Sequence, residues 1–225
     1  MKLSQLKIDP EFQSKIPPLQ FEEEQQLEQN IIVEGRLLNP IITWNGYILD
    51  GHTRYRILKK HGFIKFEVEE IQLANKYEAL AWICKNQLGR RNLSPERKKF
   101  LLGKEYESTK LAVGGQPGNC NKANRCDQND HIDSEKRTCE RIAVEHGVGS
   151  ATVRRAEKYS RGIDAAEEAV PGAQEEILTG HIKATDEQIV ALASIPKEER
   201  PAILEELKKK KSDRDDTVLE RLKPS

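Results

Sequence analysis

The spacing of apolar residues changes period several times along the chain, and the changes mark its elements. Phe21, Leu27, Ile31 and Ile32 recur at helical spacing with Glu22, Glu23 and Glu24 at the N-terminal end, where a helix dipole favours acids. After Gly35, the run Pro40 to Trp44, the pair Asn45-Gly46 and the run Tyr47 to Leu49 have the form of a β-hairpin closed by a two-residue primed turn. Ile48-Leu49-Asp50-Gly51 then leads through a tight turn into a helix expected to run to about His61, with Gly62 as its stop. Apolar and charged residues alternate from Phe63 to Ile71, which predicts a half-buried strand, and Tyr77 to Ile83 predicts a helix with a strongly apolar side. The lead before Pro18 carries Leu3, Leu6 and Ile8, and an edge strand punctuated by Pro10 and Pro17-Pro18 is expected there. Residues 1–92 therefore form an α+β domain built around one strand-turn-helix.

From Leu93 the pattern is helical. Ser94 is a good N-cap, Pro95 suits the first helical position, and Arg97 to Lys110 continues with basic residues around Phe100, Leu101 and Leu102. Residues 112–133 are almost devoid of apolar side chains and are expected to be a linker. Within 135–161, Ala143, Gly147, Val148 and Val153 fall where a helix-turn-helix needs a small residue at the crossing, a turn glycine and apolar pins beneath its second helix. Ser150 is expected to cap that helix. Its outer face would present Ser150, Ala151, Arg154, Arg155 and Lys158, with adjacent arginines suited to guanine edges or phosphates. Residues 93–162 thus read as a helical DNA-binding region. Residues 163–225 read as a C-terminal helical region, with short helices around Ile177–Ile182, Asp186–Leu192 and Pro201–Leu207 and a polar tail.

Charge sharpens this division. The formal net charge is zero, yet residues 86–162 hold 16 Lys/Arg against 10 Asp/Glu, a surplus of six in the segment where a polyanion would dock. There is no run of eighteen apolar residues and no apolar signal core at the N-terminus, so a soluble, cytoplasmic protein without a membrane partner is expected. Cys84, Cys120, Cys126 and Cys139 form no disulfide-framework pattern and are read as reduced thiols; with His131 they match no common zinc spacing, and no metal site is assigned.

The chemistry concentrates at Asp50–Arg56. A tight turn opening a helix presents unpaired backbone N–H groups where the dipole favours negative charge, with two arginines in reach. In helical projection Arg54 falls among the core-facing Tyr55, Ile57 and Leu58, whereas Arg56 points the other way. A guanidinium in that stripe needs a partner, and the residues leave two: the Asp50 carboxylate or a bound anion.

Three stretches, Gln29–Ile41, Tyr47–Ile57 and Asn86–Glu96, resemble in order the three N-terminal boxes of ParB-type proteins, which are DNA-partition and nucleoid-associated proteins whose N-terminal fold is shared with sulfiredoxin. The resemblance implies a nucleotide, CTP or another nucleoside triphosphate with Mg²⁺, held through Gly35, Gly51, His52, Thr53, Arg54, Arg56, Asn86, Gln87 and Arg90. It also implies double-stranded DNA as a partner, a homodimer, and a partition, nucleoid or mobile-element role. Two departures bear on the chemistry. His52 and Thr53 precede a single aligned Arg54 where the family turn carries an acid and two arginines, and Asn86-Gln87 replaces a Glu-Asn pair. An amide is neither a general base nor a charged Mg²⁺ ligand, so binding without hydrolysis is the expectation. The turn has no cysteine nucleophile, which excludes sulfiredoxin chemistry. Two alternatives remain: a phosphotransferase or nuclease on the same fold with Asp50 or His52 as acid/base, and a transcriptional regulator that binds no nucleotide.

Overall fold

The computed structural model describes residues 2–90, 92–113, 138–209 and 211–222, and the chain divides into two compact units, Met1–Gln87 and Leu88–Ser225. The expected linker, with Cys120, Cys126 and His131, lies outside the described residues except for Ala112 and Val113.

The first unit is a three-stranded sheet with helices on both faces. Strand β1 (Ile41–Trp44) pairs antiparallel with β2 (Tyr47–Asp50) and parallel with β3 (Val68–Glu70), in the order β2-β1-β3. Asn45 and Gly46 adopt φ 49° and 77°, the left-handed pair that a primed hairpin turn requires. A register shift between Ile42 and Thr43 marks a bulge at Leu49 of β2. Ile48 and Leu49 point to opposite faces and both are fully buried. Ile48 joins Ile31, Ile57 and Leu58 from helices α2 (Phe21–Glu34) and α3 (His52–Lys60). Leu49 joins Phe12 from α1 (Pro10–Ser14) and Ala79, Leu80 and Ile83 from α4 (Lys76–Leu88). Burial on both faces explains why this strand reads as an apolar run rather than an alternation.

Three local expectations are corrected. The lead is largely helical: a 3-10 turn at Leu3–Gln5 and α1, started by Asp9 accepting from the Glu11 and Phe12 N–H groups, leave a single bridge from Lys7 to Tyr47 in place of an edge strand. Pro10 stands inside the first turn of α1, where its missing N–H costs nothing. The alternating run from Phe63 yields only Val68–Glu70 as strand. Helix α3 ends at Lys60 with His61 as its C-cap, and Gly62 supplies no left-handed stop.

The second unit is helical. Helix α5 (Pro95–Ala112) starts as read, with Ser94 Oγ accepting from the Arg97 N–H at 3.2 Å. Helix α6 spans residues 138–145, residues 146–149 turn, and α7 (Ser150–Ala169) follows. Cys139, Ile142 and Ala143 of α6 pack with Val153 and Ala156 of α7 and Leu102 and Tyr106 of α5. The chain continues as α8 (Ala173–Leu178), α9 (Asp186–Leu192), α10 (Arg200–Lys208) and α11 (Asp216–Leu219). Helix α7 is longer than the sequence suggested: Gly162, taken as the edge of the DNA-binding segment, lies mid-helix. A Cβ there would meet the Ile189 carbonyl oxygen at 2.0 Å, and one at Gly103 would meet that of Ala156 at 2.2 Å. Two glycines thus let α7 lie directly against α9 and α5, at the propensity cost glycine carries in a helix. No helix among the described residues is long and apolar enough to cross a membrane.

Candidate functional site

The strand-turn-helix of the first unit has the geometry expected of it. Gly51 is the N-cap of α3 at φ 101° and, as a glycine, offers no side-chain oxygen to the helix's first N–H groups. The first N–H groups of α3 therefore lack the acceptor that a capping residue usually supplies. Tyr55, Ile57 and Leu58 are buried as projected. Arg54 turns back over Gly51: a Cβ on Gly51 would sit 3.1 Å from its Nε and Nη2. Its Nη2 donates to Asp50 Oδ2 at 2.7 Å, with the two side chains 16% and 19% exposed. Of the two partners the sequence left open, the carboxylate is the one in place here. Arg56, half exposed, donates to Glu24 Oε2 at 3.1 Å and ties α3 to the acidic first turn of α2. Glu24 escaped the sequence reading, although the acids of that turn are plain in it, because nothing local says which of them faces α3.

His52 behaves differently from its neighbours. It is 6% exposed, and neither ring nitrogen has a hydrogen-bond partner among the described residues. Burial, helped by Arg56 and opposed by Asp50, pushes its pKa down to about 4, so the ring is neutral near pH 7. Gln87 is fully buried with both amide atoms unpartnered among the described residues, while the adjacent Asn86 is exposed. Consecutive residues of a helix diverge by about 100°. The two amides thus do not share a face of α4. Gly35 is the left-handed C-cap of α2, Thr53 is partly exposed and Arg90 is exposed.

In the second unit, Gly147 takes φ 64° in the turn and the Val148 N–H donates to the Ala143 carbonyl at 2.9 Å, closing α6 onto the turn. Val153 and Ala156 are fully buried, whereas Ala151, Arg154, Arg155 and Lys158 are exposed on the other side of α7. Ser150 is not the cap: Gly149 holds that position and makes no side-chain contact, and the Ser150 carbonyl accepts from the buried Cys139 Sγ at 3.2 Å. The reason is the turn's length, which places Ser150 one residue inside the helix. His146 meets Glu105 of α5 at 2.7 Å, tying the turn to the core helix.

No protein-family model matches the chain, and no curated protein matches it. Solved structures do. A Pnob8-like ParB-N domain aligns with a TM-score of 0.51 at 18% identity, over 93% of this chain and 83% of that one. The fold is of the ParB type. A C-terminally truncated chromosome-partitioning protein ParB from Caulobacter crescentus, complexed to the centromeric parS site, aligns at 17% identity and a TM-score of 0.38, over 90% of this chain and 89% of that one. The ParB-type alignment runs through both units, so it takes in the helices of the second as well as the sheet of the first.

Proposed function

We propose that this chain is a sequence-specific DNA-binding protein of the ParB type, in which α6 and α7 act as a helix-turn-helix. The observation that carries the reading is the division of α7: its buried side is pinned on α5 and α6, and Ala151, Arg154, Arg155 and Lys158 stand together on the exposed side of its first two and a half turns. Four such side chains on a rigid helix start suit a major groove, with the arginines reading guanine edges or holding phosphates. Selection from pooled random duplexes tests it: an enriched sequence is expected, and recovery of unrelated sequences at equal affinity would contradict it.

The turn of the first unit supports a nucleotide-phosphate site. Phosphate oxygens would take the uncapped α3 N–H groups, and Arg54 and Arg56 would exchange Asp50 and Glu24 for them. A bound nucleoside triphosphate such as CTP would bring the phosphate charge and its Mg²⁺. The chain's own part is to position that charge and, through it, how the N-terminal domains of a homodimer meet. Arg54→Ala is expected to abolish nucleotide binding in a calorimetric titration while specific DNA affinity stays within about twofold, because the two sites lie in separate units. Nucleotide affinity unchanged in that variant would remove the phosphate site from the account. The enzyme alternative rests on Asp50 and His52. Turnover of a nucleoside triphosphate without DNA, lost in Asp50→Ala, would favour it.

A further inference from the structure

A groove of about 880 Å³ lies in the second unit between α7 and α9, with Arg221 and Leu222 also in its lining. Its volume is that of sites that enclose small organic ligands. The floor is apolar: Tyr159 and Ala156 of α7, Val190 and Ala191 of α9, Ile195 and Leu222. Its charged groups are uneven. Lys99 is spent on Asp186, donating to Oδ1 at 2.6 Å while its ammonium lies 4.7 Å from the centroid of the Tyr159 ring, and Arg221 is paired with Glu199. Arg155 and Lys158 make no ion pair with any described residue, and both face the groove from the exposed side of α7. Of the groove's two carboxylates, Asp186 and Glu187, only Glu187 stands without a cation among the described residues.

An apolar floor with two uncommitted cations at its lip is complementary to one kind of small molecule: a flat or aliphatic body carrying an anionic group. We infer that this groove binds an amphipathic organic anion, its body on the floor between α7 and α9 and its anionic group at Arg155 and Lys158. These two residues also belong to the proposed DNA face, so occupancy and DNA binding would compete, and in that respect the inference rests on the helix-turn-helix reading. The site is thus an effector site built into the recognition helix itself, distinct from the turn of the first unit.

The probe is 1-anilinonaphthalene-8-sulfonate, with uncharged N-phenyl-1-naphthylamine as its match for the body alone, titrated into the full chain without DNA. Saturable binding of the sulfonate at one site is expected, with much weaker binding of the neutral probe. Arg155→Glu or Lys158→Glu should weaken sulfonate binding about tenfold or more, since each replaces a charge-assisted contact by repulsion. Ser194→Trp, which fills the groove from its rim, should abolish binding, and Glu187→Gln should strengthen it. Circular dichroism checks that each variant is folded. Sulfonate affinity unchanged in both Arg155→Glu and Ser194→Trp overturns the site, as does binding that weakens as protein concentration rises, which would make a second copy of the chain the occupant. Saturating sulfonate should also lower affinity for the selected DNA. If Arg154→Ala and Arg155→Ala both leave DNA binding intact, the DNA reading fails while the probe titrations still decide the groove.

Discussion

Arg54 and His52 stand two residues apart in the first turn of α3, the one on a carboxylate and the other enclosed without a described partner. The place of Arg54 among core-facing residues follows from helical geometry, and so does its need for a partner; Asp50, four residues back, is the partner at hand. His52 was read as a ligand for phosphate or a catalytic base, yet its ring is inside, a fact set by packing that no local pattern encodes. That burial has a consequence in acid. The unfolded ring titrates near 6.5 and the folded one near 4, so between these values the unfolded chain binds the extra proton and stability falls with falling pH. At pH 5 the loss is about 2 kcal/mol relative to pH 7. Urea unfolding at the two pH values should show it, and His52→Phe should flatten the difference; an equal pH dependence in that variant would assign the effect to other groups. Gln87 makes the same point. As one of an amide pair it looked like a site residue, whereas it is enclosed with no described hydrogen-bond partner, and I/L-type isosteres test that: Gln87→Leu should cost little or stabilise, because it removes two unpaired polar atoms.

At the scale of elements, strong signals gave strong results. The Asn45-Gly46 hairpin, the Ser94-Pro95 helix start and the turn at Gly147 each depend on a backbone conformation or cap that a few residue types supply, and each is found. The failures came where tertiary contacts decide: five residues from Pro10 became a helix because Asp9 caps them, and Gly162 passed for a boundary because a glycine in a helix is normally a cost. Its use is close approach, and that is testable. Gly103→Ala and Gly162→Ala each gain helix propensity, but each drives a Cβ to about 2 Å from a neighbouring helix's backbone carbonyl, and backbone cannot step aside as a flexible side chain can. Both variants should be destabilised by about 1–3 kcal/mol or more, whereas Gly62→Ala, with open space around it and ordinary φ, should be nearly neutral. Thermal unfolding followed by circular dichroism separates the three; a raised midpoint in Gly162→Ala would contradict the packing of α7 on α9.

At the scale of the whole molecule, the two candidate sites differ in how their cations are held. In the turn of the first unit Arg54 lies on Asp50 and Arg56 on Glu24, so an incoming phosphate has to displace an acid. In the second, Arg154, Arg155 and Lys158 have no such partner among the described residues and are open to a polyanion. These three residues lie in the segment where the sequence concentrates its surplus of basic residues. The sequence could not show the groove beside α7, since its lining is drawn from α5, α7, α9 and Leu222, which only the fold brings together. The central claim is that the exposed start of α7 reads DNA. Its most direct measurement is fluorescence anisotropy of a duplex carrying the selected sequence, titrated at fixed salt with the wild-type chain and with Arg154→Ala and Arg155→Ala. The account predicts a loss of about 1–3 kcal/mol for a lost base contact, roughly 5- to 150-fold in Kd. Wild-type affinity in both variants would contradict it.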